Sequence, residues 1–158
     1  MNRLMNCDNV VYSFRRFLAS IMRAPRSHGF GVQSPFAFDF ITEVVRRRGD
    51  DVEDAMLTDT VDNSKIEFVS PKTAFAYSSN TKRRLNKFYH RLSEFVGKHD
   101  DIERVYVVEG IHCCGDNCHQ WTSLCKDEAV TVSFDVFDCG VAFRVANMYK
   151  NNYKVILL

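Results

Sequence analysis

Apolar residues recur along the chain with different periods, and each period predicts an element. From Val11 to Met22, the residues Val11, Phe14, Phe17, Leu18, Ile21 and Met22 return at helical spacing, with Arg15 and Arg16 opposite them. Pro25 ends this pattern. Two readings compete for such a helix. It is either a basic amphipathic helix on a membrane or a helix docked on its own domain, and several aromatics with few lysines favour the docked one. The next helix has clear boundary signals. Ser34 is placed to cap it and Pro35 to start it, while Phe36, Phe40, Ile41, Val44 and Val45 form its apolar face. Arg46, Arg47 and Arg48 complement its dipole, and Gly49 closes it. A third helix is expected over 82–96, burying Leu85, Phe88, Tyr89, Leu92, Phe95 and Val96 and leaving His90 at the surface.

Strand patterns fill the remainder. Val105 to Val108 is an uninterrupted apolar run, as expected of a strand buried on both faces. A loop from Glu109 to His112 follows. Beyond it lies a helix that Asp116 is placed to cap, with Cys118, Trp121, Leu124 and Cys125 on one side. Ala129 to Phe134 alternates, with Val130, Val132 and Phe134 on one face and Thr131 and Ser133 on the other. Turns near Asp138–Gly140 and at Lys150–Asn152 separate two more strands, Val141–Val145 and Tyr153–Leu158, so a β-meander is expected to close the chain. Upstream, Lys65–Val69 and Thr73–Tyr77 are short strand candidates split by Pro71. The acidic stretch 50–63 reads as a loop, or as a short helix around Val52 to Leu57.

Composition narrows the classes. A chain of 158 residues fits one domain, with a helical N-terminal segment over 1–49 and an α/β sheet over 64–158. The net charge of +1 gives no global attraction to nucleic acid. No apolar run approaches the ~20 residues of a membrane span. Arg3, Arg15, Arg16 and Arg23 interrupt Met1–Pro25, which argues against a secretory leader. Six cysteines without such a leader read as free thiols of a cytoplasmic protein.

The densest chemistry lies between His112 and Cys125. His112, Cys114, Cys118 and His119 are the metal-ligand candidates, with Cys113 and Cys125 beside them. Zinc sites usually draw on two spaced pairs, and here there is a single cluster; Cys114 and Cys118 also suit a helix face as small hydrophobes. A thiol nucleophile paired with His112 or His119 would need a third group to orient the base, and the sequence offers none nearby. Gly29-Phe30-Gly31 ahead of a helix could hold an anion with Arg26 and His28, but no strand precedes it as a dinucleotide fingerprint requires.

Several of these segments resemble a family of bacterial S-adenosylmethionine-dependent, class I methyltransferases. In GFGVQSPFAFDFITEVV, the residues Gly31, Ser34, Pro35, Phe36 and Asp39 match the family's N-terminal signature, while Gln33 stands where the family usually has histidine. Toward the other end, Ile111-His112, Trp121, Val130–Asp135, Gly140, Phe143 and Tyr153 match in order and spacing. The resemblance implies a Rossmann-like sheet with His112 and Asp135 near the family's cleft, the two catalytic candidates. It also implies that a part is missing. Between Gly49 and Thr73 there is no room for the ~30-residue βαβ unit of a cofactor-binding half, and no glycine turn follows an early strand.

The expectation is therefore a truncated class I methyltransferase-like α/β sheet ending in a meander, preceded by two helices. Its function would be that of a binding or assembly protein that has lost cofactor binding and catalysis. Two alternatives remain. One is an S-adenosylmethionine-dependent methyltransferase completed by a partner or second subunit; the other is a Cys/His metal-binding protein. Loss of a neighbouring strand would leave an open sheet edge near Thr73–Tyr77, and a homodimer pairing those edges would cover it.

Overall fold

The computed structural model describes residues 5–6, 10–29, 31–46 and 64–157. The stretch 47–63, including the short helix expected around Val52 to Leu57 and the Gly49 helix end, lies outside the described residues. The elements run in the order β1 (Met5–Asn6), α1 (Val10–Ser27), α2 (Pro35–Phe40) with a π turn over Ile41–Val45, β2 (Ile66–Val69) and β3 (Phe75–Ala76). They continue with α3 (Ser79–Lys98), β4 (Ile102–Glu109), α4 (Gly115–Lys126), β5 (Val132–Asp135), β6 (Cys139–Val145) and β7 (Asn151–Lys154).

Five strands form one mixed sheet in the order β2-β4-β6-β5-β7. β2 and β4 are parallel, joined by the α3 crossover, and β5 and β7 are parallel. β6 runs against both β4 and β5. The last three strands are thus not a meander. β6 returns between β4 and β5, and β7 pairs with β5 instead of β6. Insertion of β6 buries both faces of the β5–β6 hairpin; every residue of β5 is buried.

Side-chain alternation assigns the two faces. Val105 and Val107 of β4 face the larger core with Val141 and Phe143, while Val108 and Ala142 face a smaller one. The larger core is covered by α2, its π turn and α3. Ser34 caps α2 by accepting from the Ala37 amide, as its sequence position suggested. Phe40, fully buried, lies tilted against Phe134 (4.2 Å between centroids) and meets Phe88, Phe95 and Phe143 edge-on. The smaller core lies under α4, where Trp121 packs directly on Gly140. A Cβ at Gly140 would come within 2.5 Å of the indole, so the strand needs a glycine there. Val130 joins Trp121 in this smaller core, not Val132 and Phe134, because it precedes the strand.

Two further expectations change. Cys114, not Asp116, occupies the N-cap of α4; Asp116 sits in the first turn, where the helix dipole favours a carboxylate. Thr73–Tyr77 is not an edge of the main sheet either. Phe75–Ala76 pairs with Met5–Asn6 in a separate two-stranded ribbon, and among the described residues β2 is the edge of the five-stranded sheet beyond β4.

The largest departure concerns α1. Its apolar residues face solvent: Val10, Val11, Phe14, Phe17, Leu18, Ile21 and Met22 are each more than 40% exposed. Its polar side instead docks on the domain, through Tyr12, Arg16, Arg23 and Ser27. No helix among the described residues is long and apolar enough to cross a membrane.

Candidate functional site

β2, β4, β5 and β7 all point the same way, so their carboxyl ends lie together. In open α/β sheets ligands usually bind at this end. α1 crosses it. Arg15 donates to the His112 carbonyl after β4, Arg23 to Asp135 at the end of β5 and to the Val155 carbonyl, and Arg16 to the Leu157 carbonyl. The Ile156 amide donates to Ser27 Oγ.

Beneath α1 the β5–β6 turn carries two buried carboxylates, Asp135 and Asp138. Buried carboxylates need paired charge and hydrogen bonds, and the turn gathers both. Asp135 receives Arg23 at 2.8 Å, the His112 Nε2 at 2.8 Å and the Phe137 amide at 2.9 Å. Burial alone would raise its carboxyl pKa; the hydrogen bonds and charges of His112 and Arg23 outweigh that and hold it at about 2. Asp138 accepts from Tyr12 at 2.9 Å, Arg84 of α3 at 2.9 Å and Arg16 at 3.2 Å. Its carbonyl accepts the Tyr77 hydroxyl, which in turn accepts the Gly110 amide at 2.7 Å. Burial pushes the Tyr77 phenol well up, so it stays a proton donor. Phe137, in the left-handed region at φ 74°, stacks its ring on His112 at 4.8 Å and receives the Arg23 guanidinium over its face at 5.4 Å.

His112 and Asp135, the two catalytic candidates, are therefore in contact. They form a base with an orienting carboxylate, the third group the sequence did not reveal for His112. Among the described residues, however, no hydroxyl or thiol hydrogen-bonds the His112 ring, and Arg23 occupies the carboxylate from the other side. Three of the described cysteines are poorly suited to act as its nucleophile. Cys113 is disulfide-bonded, which corrects the expectation that all the thiols are free. Cys139 is fully buried, and burial pushes its thiol up, as it does that of Cys125.

The metal candidates are dispersed. His112 is committed to Asp135, while Cys114 and Cys118 occupy the N-cap and first turns of α4 and His119 lies exposed on that helix. No three His, Cys, Asp or Glu side chains among the described residues come together in a way that could hold a metal ion.

A cavity of about 530 Å³ remains at the carboxyl end of β4, and His112 is not among the residues that line it. It lies between Ala74–Tyr77 and the start of α3 and is lined in part by Lys82, Asn86 and Glu109. Glu109 accepts the Tyr89 hydroxyl at 2.6 Å, so its carboxylate is already engaged. The loop before the cavity is tied to α4 by Asn117, whose side chain bonds both the amide and the carbonyl of Thr73.

Sequence reasoning missed Asp138 and the inward role of Arg16, Arg23 and Arg84. A signal was present: Asp135 and Asp138 interrupt a stretch, VSFDVFDCGVAF, too apolar to solvate them. No family model, curated protein or solved structure matches the chain.

Proposed function

We propose that this chain is a methyltransferase-like protein without cofactor binding or catalysis, acting as a binding or assembly protein. The observation that carries this reading is the position of α1. Its arginine face lies across the carboxyl ends of β4, β5 and β7 and pairs with Asp135 and Asp138, occupying the end of the sheet where a ligand would enter. The parallel β2–α3–β4 crossover, with α3 and α4 on opposite faces, supports a Rossmann-like origin for the sheet. The resemblance adds its landmarks: Gly140 exists to admit Trp121, and His112 meets Asp135. A site made of a His–Asp pair already saturated by arginine is architecture, holding a helix in place.

Isothermal titration of the full chain with S-adenosylmethionine and with S-adenosylhomocysteine tests the reading. No heat and no thermal shift are expected with either. Saturable binding would replace the proposal with a methyltransferase whose missing half comes from a partner or second subunit.

A further inference from the structure

The outward face of α1 is a built surface. Val10, Phe14, Phe17 and Ile21 are spaced by four, three and four residues, the seam of a paired helix, with Val11, Leu18 and Met22 flanking them. Phe38, 46% exposed with its ring against Gly29 just past the helix end, extends the apolar surface. At 150–250 Å² for a large aromatic side chain and somewhat less for an aliphatic one, these seven exposed residues present on the order of 900 Å² of surface. That exceeds the roughly 300–600 Å² of the largest patch on a typical monomer. It matches the ~800 Å² per partner of a standard interface. The position of α1 is independently fixed, because its other face is bonded to Asp135, Asp138 and the chain around Val155–Leu157.

We infer that this stripe is the interface with a second copy of the same chain, α1 against α1 across a two-fold axis. This deepens the assembly reading above and rests on it. A self-complementary, uncharged seam suits an isologous contact, in which the same patch meets itself. A lipid surface fits less well. An interfacial helix directs cationic residues to headgroups, whereas three of the four arginines of α1 (Arg15, Arg16 and Arg23) are bonded to the domain. No acidic residue in α1 opposes the pairing from within the seam.

Sedimentation velocity of the full chain from about 1 to 100 μM tests this, beside a Phe14→Glu/Phe17→Glu variant. The expected result is a concentration-dependent dimer for the parent chain and a dimer dissociation constant at least about 100-fold weaker for the variant, about 2.8 kcal/mol at 1.4 kcal/mol per tenfold. Far-UV circular dichroism should be unchanged. Should the double variant lose helix signal, Ile21→Arg alone provides the same comparison. A parent chain that stays monomeric throughout overturns the inference. So does a dimer indifferent to the substitutions, which would place the contact elsewhere, or a monomer that co-sediments with vesicles of phosphatidylglycerol and phosphatidylcholine. None of these outcomes touches the titration with S-adenosylmethionine, so the failure of this interface and the failure of the cofactor-free reading are separately visible.

Discussion

Helices α1 and α3 have nearly the same length, 18 and 20 residues, and both are strongly amphipathic, yet they dock with opposite faces. α3 buries Leu85, Phe88, Leu92 and Phe95 against the sheet and turns Lys82, Arg83, Glu94 and Lys98 to solvent, with Arg84 reaching Asp138. α1 exposes its apolar residues and buries its polar contacts. The difference does not lie in the helices. It lies in the surface each one meets. α3 covers the apolar face of β4 and β6, where burying a large side chain stabilises by about 1.5–3 kcal/mol. α1 meets two buried carboxylates, which without it would lose Arg23 and Arg16 and keep His112 and Arg84. Removing one partner from such a buried pair costs about 3–5 kcal/mol. The ion-paired aspartates hold the arginine face of α1 against the domain and leave its apolar face outward.

The largest effect that separates the two helices is expected in α3. Phe88 is fully buried and packed among aromatic rings. Phe88→Ala should lower the unfolding free energy by about 3–5 kcal/mol, the range for aromatic truncation in a core. Urea unfolding followed by circular dichroism measures it. A loss under about 1 kcal/mol would mean that α3 is not held by its apolar face, and the contrast with α1 would dissolve.

A smaller effect belongs to the polar contact of α1 and shows itself in pH. Asp135 is held at about 2 in the folded chain, against ~3.9 for an unperturbed aspartate. Because the folded value is the lower one, the ionised carboxylate stabilises the fold above the unfolded value, and that contribution disappears as pH falls from about 4 through 2. The shift corresponds to about 2.6 kcal/mol, of which about 1.8 kcal/mol is lost by pH 2.5. Comparing urea midpoints at pH 6 and pH 2.5, the parent chain should lose about that much more than Asp135→Asn, which has no carboxylate to titrate. Equal losses in both proteins would show that the pairing with Arg23 and His112 contributes nothing.

The same contrast explains what could be read from the sequence. Helix positions were legible wherever a period was long and its boundary residues clear, as at Ser34-Pro35 and along Leu85–Val96. Trp121 and Gly140 were visible as landmarks, although their shared cause, an indole lying on a strand that has no room for a Cβ, needed the fold. The β-meander was misread because hairpin signals report which strands are consecutive, not which strand is inserted between two others; β6 sits between β4 and β5 through long-range pairing. For α1, periodicity identified a polar and an apolar side and was silent on which side faces in. That choice depended on Asp135 and Asp138, more than a hundred residues away. His112 and Asp135 were named as a pair of candidates, but that Arg23 would occupy the same carboxylate could not be read without the position of α1.

The smallest expected effect completes the comparison on the outer face of α1. Met22 is 81% exposed, so replacing it removes little surface that folding had taken from water. In a chain dilute enough to be monomeric, Met22→Ser should change the unfolding free energy by no more than about 0.5 kcal/mol, as for other surface substitutions. At concentrations where two copies associate, the same substitution should lower the apparent stability further, because a contact made only by the folded state contributes through mass action. Thermal unfolding of both proteins at about 1 and 100 μM separates the two terms. A large loss at the lower concentration would mean that the apolar face of α1 is packed within the monomer after all, and that α1 and α3 dock by the same rule.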